Sequence, residues 1–198
     1  MNEMKKIINL PALLILDVQK GFDDPSWGQR NNPQAEQNMA KLLTEWRKRS
    51  GTVLYSKHLS LQPDSPLYHR DPVGTEFKEI IQPAAGEKIF PKNFNSAFIG
   101  TDLQSYLDQH EIKSVMITGL STQHCVSTST RMSGNFGYQT YLVSDAIAAF
   151  EVTDANGKKH SAESIQEAEL AMLHKEFATI ITTDETLNQL HQLPYSSR

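Results

Sequence analysis

A short, unbroken apolar run near the start of the chain constrains the fold more than any other feature. Residues 12–16 read Ala-Leu-Leu-Ile-Leu, and Asp17 follows them. A strand with one face in water alternates apolar and polar residues, whereas a strand buried on both faces of a parallel sheet is apolar throughout. The run therefore predicts a central parallel strand at 12–17, with Asp17 at its carboxyl end. Open α/β sheets bind ligands at that edge, although Asp at a strand end is also a common helix cap or turn former.

Predicted strands and helices alternate along the rest of the chain. Strands are expected at 52–56, 114–119, 140–143 and 179–182, and helices at 33–50, 99–110, from Cys125 to about Asn135, 162–177 and 184–192. This alternation is typical of a parallel sheet with helices on both faces. The sequence thus predicts an α/β fold: a single three-layer αβα, Rossmann-like domain over residues 1–198, with a central, mostly parallel sheet of about six strands. The Pro-rich stretch 59–87 is expected to be a substrate-site loop rather than a domain boundary.

Cys125 is the only cysteine of the chain, and it follows the strand predicted at 114–119. Ser121 and Thr122 come between them, and both are favoured N-cap residues because their hydroxyls accept from the unpaired N–H groups of a first helical turn. In such a turn the helix dipole can lower the pKa of a thiol below about 8.5, which makes Cys125 a candidate nucleophile. The alternative is that Cys125 is a small buried apolar residue, as most free cysteines are.

Lys92 is the third candidate for a catalytic role. It lies near three aromatic residues, Phe90, Phe94 and Phe98. Isolated lysines are nearly always solvated, whereas a lysine in apolar surroundings either extends its amine to water or is held against a carboxylate. The aromatic surroundings therefore make Lys92 a candidate for a buried ion pair.

Five segments, taken in order, carry a resemblance to a known family. They are residues 14–19, Lys92 with 95–103, 118–126, 137–146 and 173–180. With these segments the chain resembles the isochorismatase-like cysteine hydrolases. The resemblance implies an Asp–Lys–Cys catalytic triad, which maps to Asp17, Lys92 and Cys125. It also implies a cis peptide bond before the nucleophile, which maps to Leu120–Ser121.

The resemblance further implies a hydrolase that cleaves a small amide or carbamoyl compound at a C–N bond through a thioester on Cys125. Asp17 would take the thiol proton and later give it to the leaving amine, while Lys92 stabilises the charges of Asp17 and the thiolate. Backbone N–H groups near Ser121 and Cys125 would receive the oxyanion. The expected partner is therefore a small-molecule substrate.

Three other functions are compatible with parts of the sequence. An isochorismatase-type vinyl-ether hydrolase would share the fold, but its reaction needs no thiol nucleophile. A non-catalytic binding protein of the same fold would hold Cys125 as an inert packed residue. A nucleotide-binding Rossmann domain would carry Gly-x-Gly-x-x-Gly after the first strand, where residues 17–21 read Asp-Val-Gln-Lys-Gly.

No metal and no other cofactor is expected. Nicotinamidases of this family bind a divalent metal through an Asp-x-His pair after the second strand, and here residues 56–58 read Ser-Lys-His. His58, Asp64 and His69 lie close together in the sequence, but their spacing matches no metal motif. The missing carboxylate weakens nicotinamide as a substrate, and the sequence leaves open whether a metal binds near His58.

Three residues are weaker candidates for the substrate pocket. Phe22 and Trp27 follow Asp17 in a loop and would form an aromatic wall, although Trp27 could equally anchor the loop. His124 precedes the nucleophile and either lines the pocket, points to solvent or packs on the sheet. Arg131, on the nucleophile helix, is expected to pair with an acidic neighbour.

Composition argues against several partners. The net charge of −4 gives no basic surface for nucleic acid, and no stretch approaches the ~20 apolar residues of a membrane span. A single cysteine suits a reducing compartment. The N-terminal segment has Lys5 and Lys6 followed by an apolar run, but Asp17 interrupts that run, so the segment does not resemble a signal peptide. A cytoplasmic protein is therefore expected. The helix at 162–177 carries two apolar lines, one with Ile165, Ala168 and Met172 and the other with Leu170, Leu173 and Phe177. They predict a homo-oligomer, a dimer or tetramer, with this helix at the interface, although both lines could be core.

Overall fold

The computed structural model describes Ile7 and residues 9–193, so Lys5 and Lys6 lie outside the described residues. The strands are β1 (Ala12–Leu16), β2 (Val53–His58), β3 (Lys88–Lys92), β4 (Ser114–Leu120), β5 (Gln139–Ala148), β6 (Val152–Thr153), β7 (Lys159–His160) and β8 (Thr179–Ile181). The α-helices are α1 (Ala35–Lys48), α2 (Leu103–Gln109), α3 (Ser127–Asn135), α4 (Ala162–Leu173) and α5 (Thr183–His191). Short 3₁₀ turns lie at Lys20–Asp23, Pro25–Trp27 and Glu79–Ile81, and a π-helical turn lies at Thr122–Val126.

Six strands form one parallel sheet in the order β3-β2-β1-β4-β5-β8, while β6 and β7 form a separate antiparallel pair. Every residue of β1 is buried. Successive side chains of a strand point to opposite faces, so Leu13 and Ile15 lie in one hydrophobic core and Leu14 and Leu16 in the other. Burial on both faces of the sheet therefore explains the unbroken apolar run, as the sequence predicts. The predicted α/β fold, a six-stranded parallel sheet flanked by helices, is confirmed.

Helices cover both faces of the sheet. On one face α1 and α5 contribute Met39 and Leu190 to the core. On the other face α2 and α4 contribute Leu103 and Leu173, and Met132 of α3 packs against them. Within the described part of the chain, no helix is both long enough and apolar enough to cross a bilayer.

The carboxyl ends of β1, β2 and β4 lie side by side at one edge of the sheet. Leu16 pairs with Ser56 of β2 and with Gly119 of β4. Gly119 has a φ of +127°, and a Cβ at this position would lie 2.1 Å from the carbonyl oxygen of Leu16. Only glycine fits there, and it lets β4 approach β1 closely beside Asp17.

Two elements near Lys92 differ from the sequence prediction. β3 has no counterpart in that prediction, because its short sequence contains Pro91, which lacks an N–H. Pro91 is tolerated because β3 is an edge strand. α2 begins at Leu103, four residues later than expected, because Gly100 has a φ of +71° and the Thr101 hydroxyl accepts from the Leu103 N–H at 3.3 Å.

The helix α4 is shorter than predicted and its apolar lines have different environments. It ends at Leu173 rather than at residue 177, because Lys175 takes a left-handed backbone with a φ of +68°. Leu173 is fully buried, whereas Ala168 and Met172 are exposed. One apolar line therefore belongs to the core and the other faces outward.

Candidate active site

The three residues predicted as a catalytic triad meet at the carboxyl edge of the sheet. Asp17 follows β1, Lys92 is the last residue of β3, and Cys125 lies in the π-helical turn after β4. The Nζ of Lys92 lies 2.6 Å from Oδ2 of Asp17 and 3.2 Å from Sγ of Cys125. The side chains of Asp17 and Lys92 are fully buried, and Cys125 is 5% exposed. The sheet thus brings a carboxylate, an ammonium and a thiol from distant parts of the sequence to one point.

Asp17 is held in one orientation by its backbone and by Ser56. Its φ of +53° is a left-handed conformation that Asp adopts more readily than most residues, and its N–H donates to the Ser56 carbonyl at 3.1 Å. The Ser56 hydroxyl donates to Oδ1 of Asp17 at 2.6 Å, which leaves Oδ2 to Lys92. In the sequence Ser56 is notable only because it stands where nicotinamidases have a metal-binding Asp. In the structure its hydroxyl positions the Asp17 carboxylate.

The ammonium of Lys92 has four close neighbours for its three N–H groups. Besides Asp17 and Cys125, it contacts the carbonyl oxygen of Phe94 at 3.0 Å and Nδ1 of His58 at 3.2 Å. An ammonium only donates, so a hydrogen bond between these two groups forms only when Nδ1 of a neutral imidazole accepts. Burial and then the Lys92 charge lower the pKa of His58. Burial also lowers the pKa of Lys92, but Asp17 and Cys125 outweigh burial, and the net shift of that pKa is upward.

These contacts leave no vacant place for a metal ion at the site. Asp17, His58 and Cys125 each place one potential ligand atom within 4.8 Å of the others, which is the spacing of a small metal site. Lys92 Nζ, however, already lies within hydrogen-bond or ion-pair distance of all three. A metal ion would be repelled by the ammonium and would have to displace it. The residues present therefore fit a fixed ammonium better than a divalent metal.

Cys125 enters the site on a π-helical turn, Thr122–Val126, instead of on the first turn of an α-helix. The Ser121 carbonyl accepts from two N–H groups of that turn, at 3.1 and 3.2 Å. The Ser121 side chain makes no capping hydrogen bond, so the predicted role of its hydroxyl as an N-cap is wrong. The Leu120–Ser121 peptide bond is cis, as the family resemblance implies. A π turn in this place is a common feature of functional sites.

The structure corrects the expected acidity of Cys125. A position at a helix start predicts a lowered thiol pKa, but burial raises the pKa of Cys125, and the Asp17 carboxylate raises it further. The Lys92 ammonium acts in the opposite direction without cancelling these effects, because Asp17 already compensates its charge. In the resting site Cys125 is therefore a neutral thiol, which needs a base when it reacts.

A pocket opens onto the Cys125 thiol. Its cavity volume is about 60 Å³, well below the roughly 300–1,000 Å³ of sites for drug-sized ligands, so it suits only a small substrate. Its lining residues are Phe22, Trp27, His58, Ser65, Leu67, Asn95, Ser121, His124 and Cys125. The three pocket candidates from the sequence thus all line it. The irregular stretch 59–87 contributes Ser65 and Leu67.

Phe22 and Trp27 form an aromatic wall of the pocket, and Phe150, which does not line the pocket, packs against both. Phe22 and Trp27 stack with their ring centroids 5.0 Å apart, and Phe150 lies 5.9 Å from Phe22 and 5.7 Å from Trp27. The Trp27 indole N–H donates to the Gly21 carbonyl at 2.9 Å, so Trp27 is both a wall residue and a loop anchor. Phe150 belongs to the segment 146–162, which carries no motif, and the sequence analysis did not identify it.

Two sets of polar contacts hold the elements around the site. The Gln19 side chain accepts from the His58 N–H at 2.8 Å and donates to the His58 carbonyl at 2.9 Å. Arg131 pairs with Glu169 of α4 at 3.4 Å, as predicted, and the Ser127 hydroxyl donates to the same carboxylate at 2.7 Å. The first set fixes the end of β2 beside Asp17, and the second ties the nucleophile helix α3 to α4.

Comparisons with known proteins agree with this geometry. The Isochorismatase domain model matches residues 11–185. The isochorismatase family protein YrdC of Bacillus subtilis is 52% identical over 177 residues, which are 89% of this chain and 94% of YrdC. Nicotinamidase 3 of Arabidopsis thaliana is 27% identical over 91% of this chain and 89% of its own length. Maleamate amidohydrolase of Pseudomonas putida is 25% identical over 92% of this chain and 88% of its own length.

Solved structures show the same relationship. An isochorismatase-family structure from Chromobacterium violaceum superposes with a TM-score of 0.92 at 36% identity, covering 98% of this chain and 100% of that chain. A cysteine hydrolase from Pseudomonas syringae pv. phaseolicola superposes with a TM-score of 0.84 at 25% identity, covering 93% and 95%. Because the family model spans most of the chain and one relative is 52% identical, this chain belongs to the isochorismatase family of hydrolases.

Proposed function

We propose that the protein is a cysteine hydrolase that cleaves the C–N bond of a small amide or carbamoyl compound through a thioester on Cys125. The observation that carries this proposal is the buried Lys92 ammonium, 2.6 Å from Asp17 and 3.2 Å from Cys125, below a pocket that opens onto the thiol. Burying a charge costs free energy unless it is paired with an opposite charge or takes part in a reaction. The Lys92 ammonium lies beside a cleft, which is where buried ionisable groups with a functional role are found. Two relatives named for amide hydrolysis, maleamate amidohydrolase and a nicotinamidase, support the reaction class.

The first half of the proposed reaction uses Asp17 as a general base. The neutral thiol gives its proton to the Asp17 carboxylate as Sγ attacks the substrate carbonyl carbon, and the C=O electron pair moves onto oxygen. Backbone N–H groups at Ser121 and Cys125 receive the oxyanion. Collapse of the tetrahedral intermediate breaks the C–N bond. Asp17 returns the proton to the leaving nitrogen, so ammonia or an amine departs and a thioester remains.

The second half hydrolyses the thioester with the same residues. A water enters where the amine left, Asp17 takes one of its protons, and the oxygen attacks the thioester carbonyl. The C–S bond then breaks, and Asp17 returns the proton to the Cys125 sulfur as the acid product leaves. Lys92 remains charged throughout, and it compensates whichever of Asp17 and Sγ carries the negative charge.

The alternative reaction within the family, hydrolysis of a vinyl ether, needs no thiol nucleophile. In this structure the Cys125 sulfur contacts the Lys92 ammonium and lines the pocket. A cysteine that only filled space in the core would need neither the contact with the Lys92 ammonium nor access to the pocket. The placement of the thiol therefore favours C–N hydrolysis through a covalent intermediate.

A screen of small amides, ureas and carbamoyl compounds, read by release of ammonia or amine, tests the proposal. We expect turnover of at least one compound, unchanged by EDTA, and an acyl adduct on the wild-type protein in quenched-flow mass spectrometry. The Cys125→Ala variant should show neither turnover nor adduct. Turnover that survives this substitution, or that requires added zinc or manganese, would contradict the mechanism, as would the absence of turnover across the whole panel.

A further inference from the structure

The lining of the pocket is uncharged. Among the described residues that form it, none is an aspartate, glutamate, lysine or arginine. One side is apolar and is built from Phe22, Trp27 and Leu67. The remaining side chains are neutral polar groups, including Ser65 and Asn95, together with two imidazoles. A substrate that enters this pocket therefore meets apolar surface and neutral hydrogen-bonding groups.

Three cations around the site are already engaged by groups of the protein. The Lys92 ammonium has no exposed surface, and its three N–H groups are shared among four neighbouring groups of the protein. Arg30, which lies over the ring of Phe150, makes two hydrogen bonds to Glu36, at 2.7 and 3.0 Å. Arg131 of α3 pairs with Glu169. None of these three groups is placed to bind an anion inside the pocket.

The two imidazoles of the lining do not supply a positive charge at neutral pH. Nδ1 of His58 lies 3.2 Å from the Lys92 ammonium, and a positive charge on the ring would be repelled at that distance. Burial and Lys92 lower the pKa of His58, and burial lowers the pKa of His124. A carboxylate in the pocket would therefore lose water without gaining a counter-ion, which is unfavourable.

We propose that this site takes small amides whose acyl group is uncharged, and that it discriminates against amides that carry a carboxylate. An apolar or flat acyl group packs against Phe22 and Trp27, and the amide group reaches Cys125 past Asn95 and Ser121. This inference rests on the proposed function. It distinguishes the chain from its relative maleamate amidohydrolase, whose named substrate is an anion at neutral pH.

Matched pairs of amides that differ only in charge test the inference. Maleamide and succinamide are compared with maleamate and succinamate at pH 7.5, by kcat/KM for the wild-type protein and by calorimetric binding to Cys125→Ala. We expect the uncharged member of each pair to be favoured by about 10- to 100-fold. Equal or tighter binding of the anionic members would overturn the inference, and so would the absence of measurable binding by both uncharged members.

A charge introduced into the lining sharpens the test. Ser65 is half-buried in the pocket wall, so Ser65→Lys adds an ammonium within reach of an acyl carboxylate, and Ser65→Gln is the uncharged control of similar length. Ser65→Lys should shift the preference toward the anionic members by about tenfold, whereas Ser65→Gln should not. An identical preference in the two variants would count against the inference. A retained preference for uncharged amides without any thioester would instead refute the proposed function alone.

Discussion

The cluster of Asp17, Lys92 and Cys125 and the cluster of Glu36, Arg30 and Lys78 both bury ionisable side chains, but their electrostatics differ. Glu36 accepts two hydrogen bonds from Arg30 and one from Lys78 at 2.8 Å. Burial alone would raise the pKa of Glu36, but these two cations lower it to about 2. The Glu36 carboxylate is therefore held in its charged form, and the cluster ties the loop before α1 to the segment before Glu79.

The Lys92 cluster leaves one group uncharged. Asp17 and Lys92 compensate each other, and the pKa of Cys125 is raised by burial and by Asp17. The Glu36 cluster shows that a perturbed pKa of a buried group does not by itself mark a functional site. The Lys92 cluster differs because a nucleophile in its neutral form adjoins both a base and a pocket. The following predictions separate the two clusters, beginning with the largest effect.

Replacing the nucleophile is expected to remove turnover completely. Cys125→Ala should lower kcat by at least about 10⁴-fold, because no other thiol exists in the chain. The melting temperature should change little, since alanine fills most of the volume of a cysteine. The matched control is Glu36→Gln, which should keep wild-type kcat. Hydrolysis by Cys125→Ala near the wild-type rate would remove the triad from the account.

Changes at the other two members of the triad should have smaller, similar effects. Asp17→Asn and Lys92→Ala are each expected to lower kcat by about two to four orders of magnitude, the range for loss of a positioned acid/base or a charge stabiliser. Circular dichroism checks that each variant is folded, because both side chains are buried. If a folded variant keeps more than about a tenth of wild-type turnover, the role assigned to that residue is wrong.

In the Glu36 cluster the expected effect is on stability and not on rate. The folded pKa of Glu36 is about 2 against an ordinary 4.5, so the folded state holds fewer protons than the unfolded chain between these values. Its contribution, about 3 kcal/mol, is fully present above pH 4.5 and is lost as the pH falls toward 2. Urea unfolding should show a deficit of this size in Glu36→Gln at pH 7 that shrinks at pH 3. A deficit independent of pH would contradict this assignment.

Substitutions on the exposed surface of α4 are expected to have the smallest effect on turnover. We propose that the protein is a homo-oligomer that uses the outward apolar line with Ala168 and Met172, both exposed in the single chain. Ala168→Glu with Met172→Glu should dissociate it in light scattering, whereas Glu163→Lys on the same helix should not. Leu173 is fully buried, so a charge there would test folding instead. A wild-type mass near 22.3 kDa would refute the proposal.

The fold could be predicted wherever burial leaves a pattern in consecutive residues. β1 is buried on both faces and reads as an unbroken apolar run, and its position fixes the place of Asp17. β3 left no such pattern, because an edge strand that contains Pro91 has only two buried residues, Phe90 and Lys92. The sequence therefore marked Lys92 only by its aromatic neighbours, and the pairing of β3 with β2 is what places it beside Asp17.

The site could be predicted only in part, for a similar reason. The positions of Asp17 and Cys125 follow from strand ends, which are local features. The contact of Ser56 with Asp17 and the stacking of Phe150 on the aromatic wall join residues far apart in the sequence. The direction of the Cys125 pKa depends on burial and on two charges, whereas the sequence offered only its place at a helix start.

We propose that Cys125 rests as a neutral thiol beside the fixed charge of Lys92 and that Asp17 deprotonates it during attack. Titration of thiolate absorbance at 240 nm, with Cys125→Ala subtracted, tests it most directly because the chain has one cysteine. We predict a wild-type pKa above the ordinary value of about 8.5, and a lower pKa in Asp17→Asn, since Asp17 raises the pKa of Cys125 and Lys92 lowers it. Thiolate already present in the wild-type protein at pH 7, or a higher thiol pKa in Asp17→Asn, would contradict the account.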